Sequence, residues 1–201
     1  IDSEVAADAL SEVHPGIQAS ILESLETEKA AEIVEGMAPD EAADVLAELE
    51  QETSDEILEE MEREPKEEVR ELLEFAEDSA GGMMNTEYIA LTETATVADA
   101  IQALKANEEL METLNTLFLV DHEERLTGTV PLARLFLHDG ATPLRALAVE
   151  TLIDVPVKED RDRVTELFDK YNLLALPVVD AERKLSGVIT ADDIISVLRE
   201  K

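Results

Sequence analysis

Residues 173–194, LLALPVVDAERKLSGVITADDI, decide how the C-terminal half of the chain is interpreted. Two short apolar runs flank a polar segment, which predicts a strand, a tight connection and a second strand. A helix is predicted to start at Thr190. The segment 119–130 has the same layout 59 residues earlier. The matching residues are Asp121, Leu126 and Gly128 in the earlier copy and Asp180, Leu185 and Gly187 in the later one. The C-terminal half is therefore a tandem repeat.

Each copy is predicted to be a β-α-β-β-α unit. The first repeat has predicted strands at 88–91, 117–120 and 126–130, a helix capped by Thr96-Val-Ala-Asp99 that runs to about 106, and a short helix at 132–137. The second repeat has predicted strands at 152–155, 175–179 and 185–189 and helices at 160–170 and 190–199. The first repeat is eight residues longer, around 106–113. Units this small bury little surface alone, so we expect them to pack together across their sheets.

A repeat of twelve residues organises the N-terminal part of the chain. Apolar residues recur there in three columns: Val13, Leu25, Met37, Leu49, Met61 and Leu73; Ala9, Ile21, Ile33, Val45, Ile57 and Val69; and Leu10, Leu22, Val34, Leu46 and Leu58. Their spacing of i, i+1 and i+4 is one face of a short helix. Pro15, Thr27 and Pro39 fall between copies, where a proline can begin a helix but not continue one. The pattern predicts a right-angled or superhelical stack of short helices.

The helical periodicity ends around the pair Gly81-Gly82. This pair lacks the Lys and Ser/Thr that follow the glycines of a phosphate-binding loop, so we interpret it as a turn at a domain boundary. The predicted domains are an acidic helical-repeat domain at 1–78, the first repeat at 79–146 and the second repeat at 147–201.

The composition is strongly acidic. The 201 residues include 49 acidic and 16 basic side chains, which give a net charge of −33, and 45% of the residues are hydrophobic. The hydrophobic content indicates folded cores, and the charge repels nucleic acids and anionic membrane surfaces. Cations are the natural partners. Adaptation to a salty cytoplasm would also explain an acid excess, and the composition does not distinguish the two explanations.

No catalytic constellation can be placed on the sequence. The chain has no cysteine, so disulfides and thiolate zinc sites are excluded. The histidines at 14, 122 and 138 are scattered, and no His-Glu-x-x-His motif occurs. Asp160-x-Asp162 lacks the third acid and the glycine of an EF-hand loop. We therefore expect a protein that is not an enzyme.

The tandem repeat, with Thr190-x-x-Asp193 at its end, resembles a pair of CBS domains, which are regulatory modules that sense adenosyl nucleotides or ions. Together with the acidic helical part, the linker 79–84 and the longer first repeat, it makes the chain similar to the cytosolic portion of an MgtE-type magnesium transporter. The resemblance implies an α-helical superhelical repeat domain followed by an α+β tandem CBS domain pair. It implies a homodimer through the CBS domains, with a C-terminal transmembrane pore domain and this region on the cytoplasmic side of the cell membrane.

The resemblance also implies a magnesium-sensing function. In the family, acids of the second CBS unit and of the helical domain face each other, and Mg²⁺ bound between them holds the closed state. Asp160, Asp162 and Asp193 match positions of ion-binding acids. Asn172 and Ser196 stand where the best-studied family pattern has aspartate. The acids of the helical domain cannot be matched, because the short repeat allows several registers, and Lys201 ends the sequence where further acids would follow.

Two other interpretations of these acids stay open. Asp160 and Asp162 would also compensate the charge of a helix N-terminus, and Thr190-x-x-Asp193 is a capping box. Ligation and capping can coexist, because a carboxylate has several acceptor sites.

Gly187, Thr190 and Asp193 also resemble the CBS nucleotide pattern, in which the hydroxyl meets phosphate and the acid holds the ribose hydroxyls. ATP is thus a second ligand that the resemblance allows. In the first repeat Pro131 and Arg134 replace the threonine and the aspartate, so at most one cleft keeps the pattern. The alternative function is an adenine-nucleotide-binding CBS module that regulates another partner, and a third interpretation is a scaffold that senses no ligand.

Overall fold

A computed structural model describes residues 3–11 and 13–199 of the chain. The chain divides into two compact units between Glu77 and Asp78. The first, the helical domain, is built from helices alone in its described residues, and the second, the repeat domain, mixes helices with two three-stranded sheets. The predicted fold class is confirmed.

The helical domain follows the twelve-residue repeat. Its described residues form α1 (Ser3–Ser11), α2 (Pro15–Glu23), α3 (Thr27–Val34), α4 (Pro39–Ala47), α5 (Gln51–Glu60) and α6 (Arg63–Leu72). Pro15, Thr27 and Pro39 are the first residues of their helices, as predicted. A proline fits this position because the first helical N–H has no partner within the helix.

Each helix packs mainly on the helix two places further along the chain: α1 on α3, α2 on α4, α3 on α5 and α4 on α6. The column from Leu10 to Leu58 is buried throughout, and it forms the core of the stack. Ile21 and Leu25 in the other columns are exposed, although the pattern predicted them to be buried. Ile21 lies in α2 and Leu25 in the turn after it. Among the described helices, α2 packs on α4 but has no helix two places before it in the chain, so one of its sides stays uncovered.

The repeat domain contains two copies of one topology. The first repeat consists of β1 (Ala90–Thr92), α7 (Val97–Ala106), β2 (Thr116–Val120) and β3 (Leu126–Pro131), with 3₁₀ helices at Glu108–Glu112 and Leu132–Leu137. The second consists of β4 (Val155–Pro156), α8 (Arg161–Tyr171), β5 (Ala175–Val179), β6 (Leu185–Thr190) and α9 (Ala191–Arg199). The sheet orders are β1-β2-β3 and β4-β5-β6, with the first pair parallel and the second antiparallel.

Both leading strands are shorter and later than predicted. β1 begins at Ala90 rather than at residue 88, and β4 begins at Val155 rather than at residue 152. Tyr88 contacts both repeats instead: its hydroxyl donates to the carbonyl of Leu185 in the second repeat over 3.1 Å, and its ring packs edge to face on Phe118 in the first. Burial raises the pKa of the Tyr88 phenol, and the charge of Glu124 adds to the effect.

The two sheets pack on each other, as predicted. A buried cluster combines Phe118 and Leu126 from the first repeat with Val179 and Val188 from the second. The turns of the two hairpins are also joined, because Leu126 N–H donates to the carbonyl of Arg183 over 3.0 Å. A separate core under the first sheet contains Val97, Leu117, Leu119 and Leu144 among others.

Two connecting segments each form hydrogen bonds with the repeat that they do not lead into, and the sequence did not predict these crossed contacts. We call residues 78–85 the first strap and residues 142–149 the second strap. The first strap precedes the first repeat but bonds to the second: Asn85 N–H donates to Val188 O over 2.7 Å and Val188 N–H to Asn85 O over 2.9 Å. The second strap precedes the second repeat but bonds to the first: Val149 N–H donates to Thr129 O over 2.9 Å. Each repeat is therefore completed by the segment that leads into the other.

None of the helices in the described ranges combines the length and the apolarity needed to cross a bilayer.

Candidate metal and nucleotide sites

Asp160 and Asp162 lie together at the start of α8. Asp160 is the N-cap residue, and its Oδ1 accepts a hydrogen bond of 2.8 Å from the backbone N–H of Asp162. Both side chains are exposed. The helix starts here because a short acceptor at the N-cap satisfies an N–H that has no partner within the helix.

The donor set at this helix start suits a hard cation. Carboxylate oxygens are the protein ligands that Mg²⁺ prefers, and Mg²⁺ keeps several of its waters, so two exposed carboxylates are a sufficient protein share. In residues 3–11 and 13–199, no three acidic or histidine side chains are grouped so that they could hold a metal ion among themselves. Asp160, Asp162 and Asp193 therefore do not form one shared site within the repeat domain, and any further ligands would come from water or from other side chains.

Asp193 is engaged by the residue that precedes α9. Its Oδ2 accepts from the backbone N–H of Thr190 over 2.6 Å and from the Thr190 hydroxyl over 2.9 Å. These bonds give Asp193 the position of the acid in a capping box. The first repeat has a complete capping box at α7, where hydrogen bonds from the backbone N–H and the hydroxyl of Thr96 lower the pKa of the Asp99 carboxyl. Capping thus accounts for Asp193 without a ligand, and its role as a ligand of Mg²⁺ or of a nucleotide stays a prediction.

Gly187 lies buried on β6, under the first strap. An added Cβ would lie 2.8 Å from the backbone oxygen of Asn85 and 2.8 Å from both Cγ and Sδ of Met84. The close approach of the strap therefore explains a glycine here in structural terms, and its role in nucleotide binding stays a prediction.

The first repeat uses the residues at the corresponding positions to hold its strap. Arg134 Nη1 donates to the carbonyls of Leu147 and Ala148 over 2.9 and 3.1 Å. Pro131 ends β3 where Thr190 ends β6, so it offers no hydroxyl or N–H to a ligand. Arg134 thus bonds to the second strap, and the statement that at most one cleft keeps the nucleotide pattern stays a prediction.

Asn172 ends α8 in the left-handed region, with φ 48° and ψ 50°. Asparagine and aspartate are both enriched in this region, so the backbone does not explain the departure from aspartate. Ser196 lies within α9, and Lys201 lies outside the described residues.

The helical domain presents a separate acid-lined groove. Thr27 faces this open space of about 720 Å³ from the start of α3. The other lining residues come from α5 and are Gln51, Glu52, Asp55, Glu56, Glu59 and Glu60. The sequence pattern placed acids off the apolar face but did not single out this helix.

Comparison with known proteins assigns both parts of the chain. Residues 1–78 match the MgtE intracellular N domain, and residues 80–138 and 147–200 match the CBS domain. A solved structure of the cytosolic domain of the Mg²⁺ channel MgtE in complex with ATP superimposes with a TM-score of 0.91 at 31% identity, over 97% of this chain and 80% of that one. The chain belongs to the MgtE family.

Other MgtE proteins support this assignment. The soluble part of a magnesium transporter covers all of this chain and 79% of its own, with a TM-score of 0.91 and 28% identity. The magnesium transporters MgtE of Enterococcus faecalis and Thermus thermophilus are 33% and 34% identical over 130 and 127 residues. These alignments cover 65% and 63% of this chain but only 29% and 28% of the transporters. The chain thus corresponds to part of such a transporter.

Proposed function

We propose that this chain is the magnesium-sensing regulatory region of a membrane magnesium transporter. Bound Mg²⁺ favours a compact arrangement of the helical domain and the CBS pair, and this arrangement closes a pore formed by a transmembrane domain on the same protein. The region lies on the cytoplasmic side of the cell membrane. The observation that carries the proposal is the pair of exposed carboxylates Asp160 and Asp162 at one helix start, in a chain of the MgtE family.

Charge repulsion supplies the driving force for opening. Two carboxylates about 4 Å apart repel by about 1 kcal/mol in water and about 4 kcal/mol at an effective dielectric constant of about 20. With a net charge of −33, the chain would hold its acidic surfaces apart when no divalent cation screens them. A cation that binds better to the compact arrangement shifts the population towards it by its differential affinity.

A magnesium titration of the chain tests this function. We expect millimolar Mg²⁺ to reduce the radius of gyration in solution scattering and to slow cleavage by a glutamate-specific protease after Glu74 and Glu77, which are exposed between α6 and the first strap. NaCl at equal ionic strength is the control, because general screening also relaxes a highly charged chain. Equal effects of the two salts would contradict a specific magnesium sensor.

Matched variants connect the response to α8. Asp160→Asn combined with Asp162→Asn should raise the Mg²⁺ concentration at half-compaction by about tenfold or more, because both charged ligands are lost. Asparagine at 160 can still cap the helix, so the fold is kept. Asp169→Asn removes one exposed charge near the other end of α8 and should leave the midpoint within about twofold of wild type.

We propose that the chain forms a homodimer through the CBS domains and that the 3₁₀ helix Leu132–Leu137 lies in the interface. Phe136 and Leu137 are 89% and 80% exposed at the end of one 3₁₀ helix, which is unusual for adjacent large apolar side chains. We expect a mass of two chains in light scattering and a shift towards one chain in Phe136→Asp. An unchanged mass in this variant would move the interface elsewhere.

A second candidate function is the binding of an adenine nucleotide at the second repeat. It is favoured by Thr190 and Asp193 and by the similar MgtE domain that was solved with ATP. Titration calorimetry with ATP and AMP should show heat that Thr190→Ala abolishes and that Asp160→Asn preserves. Heat that survives Thr190→Ala would argue against this cleft.

A further inference from the structure

Three backbone hydrogen bonds join the first strap to the segment that carries Asp160 and Asp162. They are Ala80 N–H to Glu159 O (2.8 Å), Gly81 N–H to Val157 O (2.8 Å) and Arg161 N–H to Asp78 O (2.9 Å). Ser79 also faces Asp160 in an antiparallel bridge. The part of the chain that follows the helical domain is thus fixed to the start of α8 before it enters the first repeat.

The strap bonds alternate with the bonds that position the two acids. The Asp160 side chain accepts from Asp162 N–H over 2.8 Å, and the Asp160 carbonyl accepts from Val164 N–H over 3.0 Å. Between the two acids, Arg161 gives its N–H to the strap. A movement of either carboxylate that rotates this backbone therefore also moves the bond to Asp78.

Charge gives this connection a direction. The strap brings Asp78 beside a segment in which the acids Glu159, Asp160 and Asp162 outnumber the bases Lys158 and Arg161, so seating the strap adds a negative charge to a segment that is already net negative. Arg163, the next base on α8, pairs with Glu166 at 2.6 Å on the same helix. A divalent cation at the start of α8 would reduce the repulsion and favour the seated strap.

We propose that the first strap couples cation binding at Asp160 and Asp162 to the position of the segment that leaves the helical domain. Binding of the cation stabilises the seated strap, and by reciprocity the seated strap raises the affinity for the cation. This inference rests on the proposed magnesium-sensing function and adds the element through which the site acts.

The first repeat provides an internal control with the same backbone geometry. Val97 N–H donates to Thr142 O over 2.9 Å and Leu144 N–H to Ala95 O over 2.8 Å, as Arg161 and Ala80 do in the second repeat. The positions of Asp160 and Asp162 are occupied there by Thr96 and Ala98. The second strap is therefore seated on a helix start without this carboxylate pair.

Amide hydrogen exchange measured by NMR tests the coupling directly. Saturating Mg²⁺ should slow exchange at Ala80 and Gly81 by at least about fivefold, the lower range of typical couplings between sites. The amides of Val97 and Leu144 should not change. In Asp160→Asn combined with Asp162→Asn, the effect at Ala80 and Gly81 should be lost.

A proline substitution removes one strap bond and leaves the helix intact. Arg161 is the first residue of α8, where proline is favoured, and Asp160 before it has ψ 143°, which proline requires of its neighbour. Arg161→Pro should raise the Mg²⁺ concentration that half-protects Ala80 by about fivefold relative to Arg161→Ala, which loses the same side chain but keeps the N–H.

The outcomes separate the inference from the function on which it rests. If Mg²⁺ compacts the wild-type chain but leaves exchange at Ala80 and Gly81 unchanged, the coupling is wrong and the sensor function stands. The same conclusion follows if Arg161→Pro and Arg161→Ala have equal midpoints. If Mg²⁺ changes neither the scattering radius nor the exchange rates, the sensor function and the coupling are both overturned.

Discussion

Gly187→Ala is expected to lower the free energy of unfolding of the repeat domain by about 2–5 kcal/mol, the sum of overpacking and of the strap bonds that it disrupts. The new Cβ would lie 2.8 Å from the Asn85 carbonyl oxygen. The Met84 side chain can turn away, but that oxygen belongs to the strap backbone and bonds to Val188 N–H over 2.9 Å. Either the strap must leave β6 or the strand must shift.

Urea unfolding followed by circular dichroism measures this loss, and the tandem repeat supplies the matched control. Gly128 occupies the same place in the first repeat, where an added Cβ would meet Ala148 Cβ and Leu119 Cδ1 at 3.4 Å. Those neighbours can adjust by a few tenths of an ångström, so Gly128→Ala should cost less than about 1 kcal/mol. Equal losses in the two variants would show that the strap does not determine the need for glycine.

The different surroundings of Gly128 and Gly187 could not be predicted from the sequence repeat. Aligned at 59 residues, Gly128 and Gly187 look equivalent. What distinguishes them lies on the straps, where Met84 covers one glycine and Ala148 lies beside the other. The straps correspond at a spacing of 64 residues and share little sequence, so no local pattern connects them with the strands that they cover. The helix starts at Val97 and Arg161 have the same spacing of 64, so the first repeat is five residues longer than the second before its hairpin, and the predicted difference of eight was wrong.

Features that depend on local spacing were predictable. Three helices of the N-terminal domain, α2, α3 and α4, begin at Pro15, Thr27 and Pro39, and these starts were predictable because each depends only on its own backbone groups. The two hairpins were predictable from alternation and turn residues. The burial of Ile21 was predicted wrongly, because its exposure depends on which helices stack on α2.

The candidate site divides in the same way. Asp160 caps the start of α8, and a capping residue can be recognised from the sequence. The proximity of Asp160 and Asp162 was therefore predictable. The capping bonds between Thr190 and Asp193 were likewise readable from their spacing. Which acids of the helical domain take part was not readable, because a twelve-residue repeat offers several equivalent registers and helix spacing alone does not rank them.

Leu144→Ala is expected to cost the repeat domain about 2–5 kcal/mol, the range for a fully buried leucine whose site cannot collapse. Leu144 is 0% exposed and packs in the core of the first repeat with Val97 and Leu117. It reaches that core from the second strap, where its N–H donates to Ala95 O. Leu174→Ala makes the same chemical change at a side chain that is 60% exposed, and it should stay within about 0.5 kcal/mol of wild type.

The crossed contacts of the two straps predict how the stability lost in Leu144→Ala is shared between the two repeats. Because the second strap completes the first repeat and the first strap completes the second, neither repeat can unfold without removing a segment that the other repeat orders. Leu144→Ala should therefore lower the protection of Val188 in the second repeat as much as that of Leu117 in the first, and the repeat domain should keep a single unfolding transition. Loss of protection confined to the first repeat would show that the straps join the repeats without making them cooperative.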